Sequence, residues 1–171
     1  MLIDLKNVFN NDGEKIKIDY QLDLDGFEYF GNHPFLKPVS VRGEIRNDVG
    51  VVSIDAIAEY EFNGLCDRCA ERFVKTDSVI LKHFLVPQLN DEENDEYLVV
   101  ENAILDLDEL VTEDISLSLP YRMLCSEDCK GLCSICGKNL NIGQCDCKKP
   151  IDPRMEVLLQ LLENDEEGPN N

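Results

Sequence analysis

The chain has no tryptophan, two histidines (His33 and His83), and 16 Lys and Arg against 35 Asp and Glu. Each shortage removes a class of function. With so little histidine, a catalytic metal site of the usual kind, which keeps an open position and recruits His or a carboxylate, has few residues to draw on. A formal net charge of −19 has the wrong sign for a free-standing nucleic-acid binder, whose affinity comes from Lys and Arg displacing counterions. No stretch of about 18 apolar residues could span a bilayer. The opening MLIDLKNVFN lacks the basic start and apolar run of a secretory signal, so the expected location is cytoplasmic and membrane-free. Nucleophile elbow, P-loop, dinucleotide fingerprint and HExxH are all missing, and there is no internal repeat.

What the chain does have is cysteine, eight in all. Cys66 and Cys69 lie in LCDRCA. Cys125, Cys129, Cys133, Cys136, Cys145 and Cys147 crowd into CSEDCKGLCSICGKNLNIGQCDC. In a reducing cytosol such spacings indicate metal ligation ahead of disulfides.

The first half of the chain reads as strands. Residues 14–24 (EKIKIDYQLDL) and 39–46 (VSVRGEIR) alternate apolar and polar, and the aromatic, Gly- and Pro-containing segment between them reads as irregular. From Val52 to Phe62 every even position is apolar. A second apolar run from Phe73 to Val86 returns after LCDRCA, which predicts an antiparallel hairpin with the cysteine pair at its tip. NDEENDE (90–96) reads as a solvated loop lacking the ligand order of a calcium site, and YLVVENAI as one short strand. Asp106, with Glu109 three residues on, opens a helix whose apolar stripe is Leu107, Leu110, Val111, Ile115 and Leu119. Asp152 and Pro153 start a second helix, and the acidic end of the chain reads as a disordered tail.

The expected class is therefore α+β: an antiparallel, barrel-like sheet with two helices and a cysteine-rich zinc-binding segment. In residue numbers, 1–120 form the sheet domain with its CxxC hairpin and helix, and 121–149 the cysteine-rich segment packed on it. The C-terminal helix is 150–163 and the tail 164–171.

Within CSICGKNLNIGQCDC, Gly137 permits the tight turn after a ligand pair, and Asn139, Asn141 and Gly143 can bring CDC back to the same ion. That would make Cys133, Cys136, Cys145 and Cys147 one tetrad. Cys66, Cys69, Cys125 and Cys129 would be the other, tying the hairpin tip to the segment after Pro120. Cys125, Cys129, Cys133 and Cys136, the nearest in sequence, make a competing set, and an iron–sulfur cluster is the competing occupant. His33 and His83 read as structural or surface residues.

Taken together, LCDRCAERF (65–73), the acidic loop, LSLPYRMLCSEDCKGLCSICGKNLN (117–141) and IDPRMEVLLQLL (151–162) resemble the YceD family of large ribosomal RNA subunit accumulation proteins, in its Gram-positive form. The resemblance implies a role in accumulation, processing or assembly of large-subunit ribosomal RNA, without an established chemistry. It points to a non-enzymatic factor stabilised by two all-cysteine zinc ions. With this charge, such a factor is expected to meet basic ribosomal proteins or a large-subunit assembly intermediate, with only local rRNA contact. Arg68, Arg72, Lys75, Lys130, Lys138, Lys148 and Lys149 cluster around the cysteines as the candidate partner patch, or else offset the thiolates. The alternative is a thiol redox protein working through Cys66 and Cys69, or a zinc-dependent enzyme such as a nuclease.

Overall fold

In the computed structural model, which describes residues 1–88 and 97–147, the chain opens with β1 (Leu2–Asp4) and a short helix α1 (Lys6–Asn10). Four strands follow: β2 (Lys15–Leu22), β3 (Val39–Asp48), β4 (Val51–Leu65) and β5 (Arg72–Val86). Next come β6 (Tyr97–Val99), a 3₁₀ turn at Glu101–Ala103, β7 (Ile104–Asp106) and helix α2 (Leu107–Ser118). The main sheet runs β2-β3-β4-β5-β6, and β1 pairs antiparallel with β7 in a small second sheet. The result is an α+β fold whose curled sheet makes a half-barrel. No helix among the described residues is long and apolar enough to cross a membrane.

Alternation does what the sequence predicts. Val52, Ile54, Ala56, Ala58, Tyr60 and Phe62 of β4 are all buried on one face, while Val51 and Ile57 on the other face are half exposed. Onto the buried face α2 lays Leu107, Leu110, Val111 and Ile115, its first turn capped by the Asp106 carboxylate, which accepts from the amides of Asp108 (3.1 Å) and Glu109 (3.5 Å). His83 of β5 meets Asp114 of α2 at 2.7 Å (Nε2 to Oδ2), pinning helix to sheet.

Three expectations change. The stretch YLVVENAI is two strands split by the 3₁₀ turn, because Asn102 (φ 56°) and Ala103 (φ 57°) take left-handed backbone that no strand can carry. Of these, β6 pairs parallel to β5, not antiparallel. Helix α1 has no counterpart in the sequence pattern, since five residues are too few to establish a helical period. The expected helix at 150–163, the acidic loop at 90–96 and the tail at 164–171 lie outside the described residues.

The ends of β4 and β5 position the site. Strand β3 covers β4 only as far as Ser40 opposite Glu59, whereas the β4–β5 pairing runs on to Leu65 opposite Arg72. The last turn of the hairpin is thus a two-stranded arm reaching past the sheet. Its inner face is filled by Phe35 (1% exposed), which bridges to Phe62 and packs edge-on to Tyr60 and Phe62. Burying a side chain of that size contributes about 1.5–3 kcal/mol. Phe27 and Tyr29 of the irregular 23–38 segment pack against the same cluster.

Candidate metal centres

At the arm's tip, LCDRCA folds into a tight knuckle. The Cys66 amide donates to the Glu71 carbonyl (2.9 Å) and the Ala70 amide to the Cys66 carbonyl (2.8 Å), with Ala70 at φ 57°. A strap, residues 119–129, crosses against it. The Asp67 amide donates to the Met123 carbonyl (2.8 Å), the Met123 amide donates back to the Asp67 carboxylate (2.7 Å), and the Arg68 guanidinium donates to the carbonyls of Cys129 (2.9 Å) and Glu127 (3.4 Å). These contacts bring Cys125 and Cys129 onto Cys66 and Cys69. The four sulfurs lie within 4.8 Å of one another, with Cys66–Cys129 and Cys69–Cys125 each 3.7 Å apart. Cys66, Cys69 and Cys129 are buried and Cys125 is exposed.

The second knuckle repeats the first bond for bond. The Cys133 amide donates to the Lys138 carbonyl (2.8 Å) and the Gly137 amide to the Cys133 carbonyl (2.9 Å), with Gly137 at φ 70°. The Lys138 ammonium donates to the Gln144 carbonyl (2.7 Å), closing the loop that returns Cys145 and Cys147. Their sulfurs, with those of Cys133 and Cys136, also fall within 4.8 Å of one another. This centre is more open: Cys136 is exposed and the other three are half-buried.

The donor sets fit a tetrahedral thiophilic cation. Metal–sulfur bonds of about 2.3 Å in a tetrahedron put sulfurs about 3.8 Å apart, close to the separations seen and far beyond the ~2 Å of a disulfide. Electrostatics points the same way. Burial pushes the Cys66 thiol up, but hydrogen bonds from the Cys125, Cys69 and Arg68 amides outweigh it and bring it down to about 6. For Cys69 the Glu71 amide pulls down, but burial and the Cys66, Cys129 and Cys125 thiols push it up to about 12. In the second centre, amides of Cys136 and Ile135 lower Cys133 to about 6, while Cys136, burial and neighbouring thiolate charge raise Cys147 to about 12. Each cluster thus ionises unevenly, because four thiolates in so small a space repel; a dication between them removes that repulsion.

Sequence reasoning read Asn139 and Asn141 as turn residues only. The Asn141 side chain instead donates to the Cys129 sulfur (3.3 Å) and accepts from the Lys130 amide (2.8 Å). A single sequence gives no cue for that role, since Asn is equally at home in a turn. Three of the described partner-patch residues, Arg68, Lys75 and Lys138, have partners within the chain. Arg68 is engaged with the strap, Arg72 opens β5, Lys75 pairs with Asp77 (2.8 Å), Lys138 holds its own loop and Lys130 is exposed. Lys148 and Lys149 lie outside the described residues. Beside the first centre is a cleft of about 670 Å³ lined by Tyr29, Phe30, Arg68, Tyr121, Arg122 and Met123, of which Phe30 and Tyr121 are largely exposed. His33, whose Nδ1 lies 3.2 Å from the Phe27 carbonyl oxygen, and His83 belong to neither tetrad.

These features define a class: an α+β half-barrel whose hairpin arm is fastened to the C-terminal half by a tetrad of thiols, with a second tetrad beside it. More specifically, the chain belongs to the family described as large ribosomal RNA subunit accumulation protein YceD, whose model matches residues 54–162. The Bacillus subtilis protein YlbN is 30% identical over 136 residues, 78% of this chain and 79% of YlbN. Protein Rv2926c of Mycobacterium tuberculosis is 34% identical over 70 residues, 41% of this chain and 34% of Rv2926c. No solved structure matches.

Proposed function

We propose that the protein is a non-enzymatic, cytoplasmic factor for accumulation and assembly of the large ribosomal subunit, holding two structural zinc ions and acting through basic ribosomal proteins. The observation that carries this reading is the pair of all-cysteine tetrads in a chain of the YceD family. Four thiolates leave zinc no open position for water or substrate, so such a site braces backbone and does not turn over. Cys66, Cys69, Cys125 and Cys129 would hold one ion and Cys133, Cys136, Cys145 and Cys147 the other. The excess of 35 acidic over 16 basic side chains favours a basic protein partner over bare RNA. The cleft beside the first centre offers that partner apolar anchorage at Phe30 and Tyr121. Two experiments test the reading. Elemental analysis of anaerobically purified protein is expected to give two zinc per chain, and disulfide exchange by Cys66 and Cys69 would overturn the scaffold role. Affinity capture from cells at low and high salt is expected to retain ribosomal proteins; retention of RNA alone would overturn the partner.

A further inference from the structure

The two centres are not independent knuckles. The segment that shapes the second one, 130–141, is laced onto the first. The Leu132 amide donates to the Arg68 carbonyl (3.0 Å) inside the first knuckle, and the Leu140 amide donates to the Gly131 carbonyl (2.9 Å). Gly131, at φ 75°, lies so close to that knuckle that an added Cβ would sit 2.9 Å from the Arg68 carbonyl oxygen. The Asn139 amide group donates to the Glu71 carboxylate (3.4 Å), and its Oδ1 accepts from the Asn141 backbone amide (2.9 Å), setting where Asn141 points. Asn141 then reaches the Cys129 sulfur with one end and the Lys130 amide with the other.

Asn141 therefore belongs to one centre by sequence and to the other by contact. It lies on the stretch between the two ligand pairs of the second tetrad, a stretch whose course is fixed once those pairs share an ion. Its donor stabilises a ligand thiolate of the first tetrad, the kind of outer contact that tunes metal affinity about 10–100-fold.

We propose that Asn141 is a positioning residue that couples the two centres, so that filling the exposed tetrad tightens metal binding at the buried clasp. This rests on the reading of both tetrads as metal sites. Because coupling between sites is reciprocal, filling the clasp tightens the exposed centre by the same factor.

The full-length protein, loaded with zinc or cobalt(II), tests it. Chelator is titrated, and each site's release is followed by alkylation and mass spectrometry of its own cysteines, with cobalt–thiolate absorption as the second readout. Wild-type protein taking up two ions confirms the metal reading; uptake of none overturns that reading and the coupling with it. Given two ions, Asn141→Ala is expected to weaken the clasp about 10–100-fold with the second site still filled. Cys136→Ser, which disables the second site, is expected to weaken the clasp by a similar factor. Combining the two is expected to add little, because both break one connection. Circular dichroism confirms that each variant remains folded. Clasp affinity within twofold of wild type in Asn141→Ala, or fully additive losses in the combined variant, overturns the coupling while leaving both metal sites in place.

Discussion

The two tetrads use one local device for opposite ends. Both begin with a CxxC knuckle closed by the same two backbone bonds and a residue in left-handed conformation, Ala70 in one and Gly137 in the other. One knuckle sits on a rigid hairpin arm and finds its other two ligands 56 positions away between the paired Cys69 and Cys125; three of its four thiols are buried. The other completes itself within Cys133–Cys147 and lies nearer the surface, with Cys136 exposed and the rest half-buried. Identical ligand chemistry thus fastens distant parts of the fold in one case and shapes a surface loop in the other. Topology, not the ligand set, decides which.

The sharpest way to break this comparison is to remove one ligand from each. Cys66→Ser should cost the clasp its ion and about 4 kcal/mol of unfolding free energy, the linkage expected when metal stands about a thousandfold above its dissociation constant. Cys136→Ser should cost less: it disables the exposed site, which shapes only a surface loop, and weakens the clasp about 10–100-fold without emptying it, worth about 1–3 kcal/mol at the clasp. Urea denaturation with zinc counted in parallel checks both, and equal losses would erase the distinction.

Thiol reactivity of the metal-stripped protein separates the centres next. Cys133, with its thiol near 6 and half-buried like Cys147, should alkylate at pH 7 on the order of a hundredfold faster than Cys147, held near 12. A thiol lowered to about 6 is mostly thiolate above that pH and protonates below it, so the Cys133 rate should fall as pH drops through about 6. Cys66, lowered equally but buried, should lag behind Cys133. Alkylation time courses read by mass spectrometry give the order.

Arg68→Met keeps the side chain's apolar stem but deletes the donors to Cys129 and Glu127. It should destabilise the clasp by about 1.5–3 kcal/mol, the range for hydrogen bonds from a charged group. The matching change at the second knuckle, Lys138→Met, should cost less, since its bond to Gln144 lies in an exposed loop.

The smallest effect comes from exchanging the two left-handed residues. Gly137→Ala meets open space, so it should cost only the backbone strain of about 1 kcal/mol. Ala70→Gly relieves the same strain and should gain a few tenths of that after the glycine's extra chain entropy. Thermal unfolding of the zinc-loaded variants measures both.

Much of this was legible in the residues. The even-numbered apolar positions from Val52 to Phe62 identify both the strand and its buried face, and LCDRCA between two apolar runs places the knuckle at a hairpin tip. The grouping of the eight thiols seen in the structure is the one that Gly137 and the turn residues after it had suggested. The parallel β5–β6 pair has no signature in the sequence, because three residues give no directional signal. Asn141 has none either, because its function lies in a long-range contact to sulfur, while its composition speaks only of turns. The internal partners of three basic residues, Arg68 with the strap, Lys75 with Asp77 and Lys138 with Gln144, are likewise invisible in composition, which shows only that basic side chains lie near the cysteines.

The long separation closed by the clasp has a consequence in time. A ribosome adding about 5–20 residues per second needs roughly 3–11 s to make the 56 positions from Cys69 to Cys125. For those seconds the arm's two thiols are half of an unfinished tetrad, open to reaction with an oxidant. The exposed tetrad has a shorter interval, roughly 0.5–2 s for the nine positions from Cys136 to Cys145. A nascent chain would therefore be most exposed to oxidation at LCDRCA, the motif that carries two of the buried thiols of the finished fold.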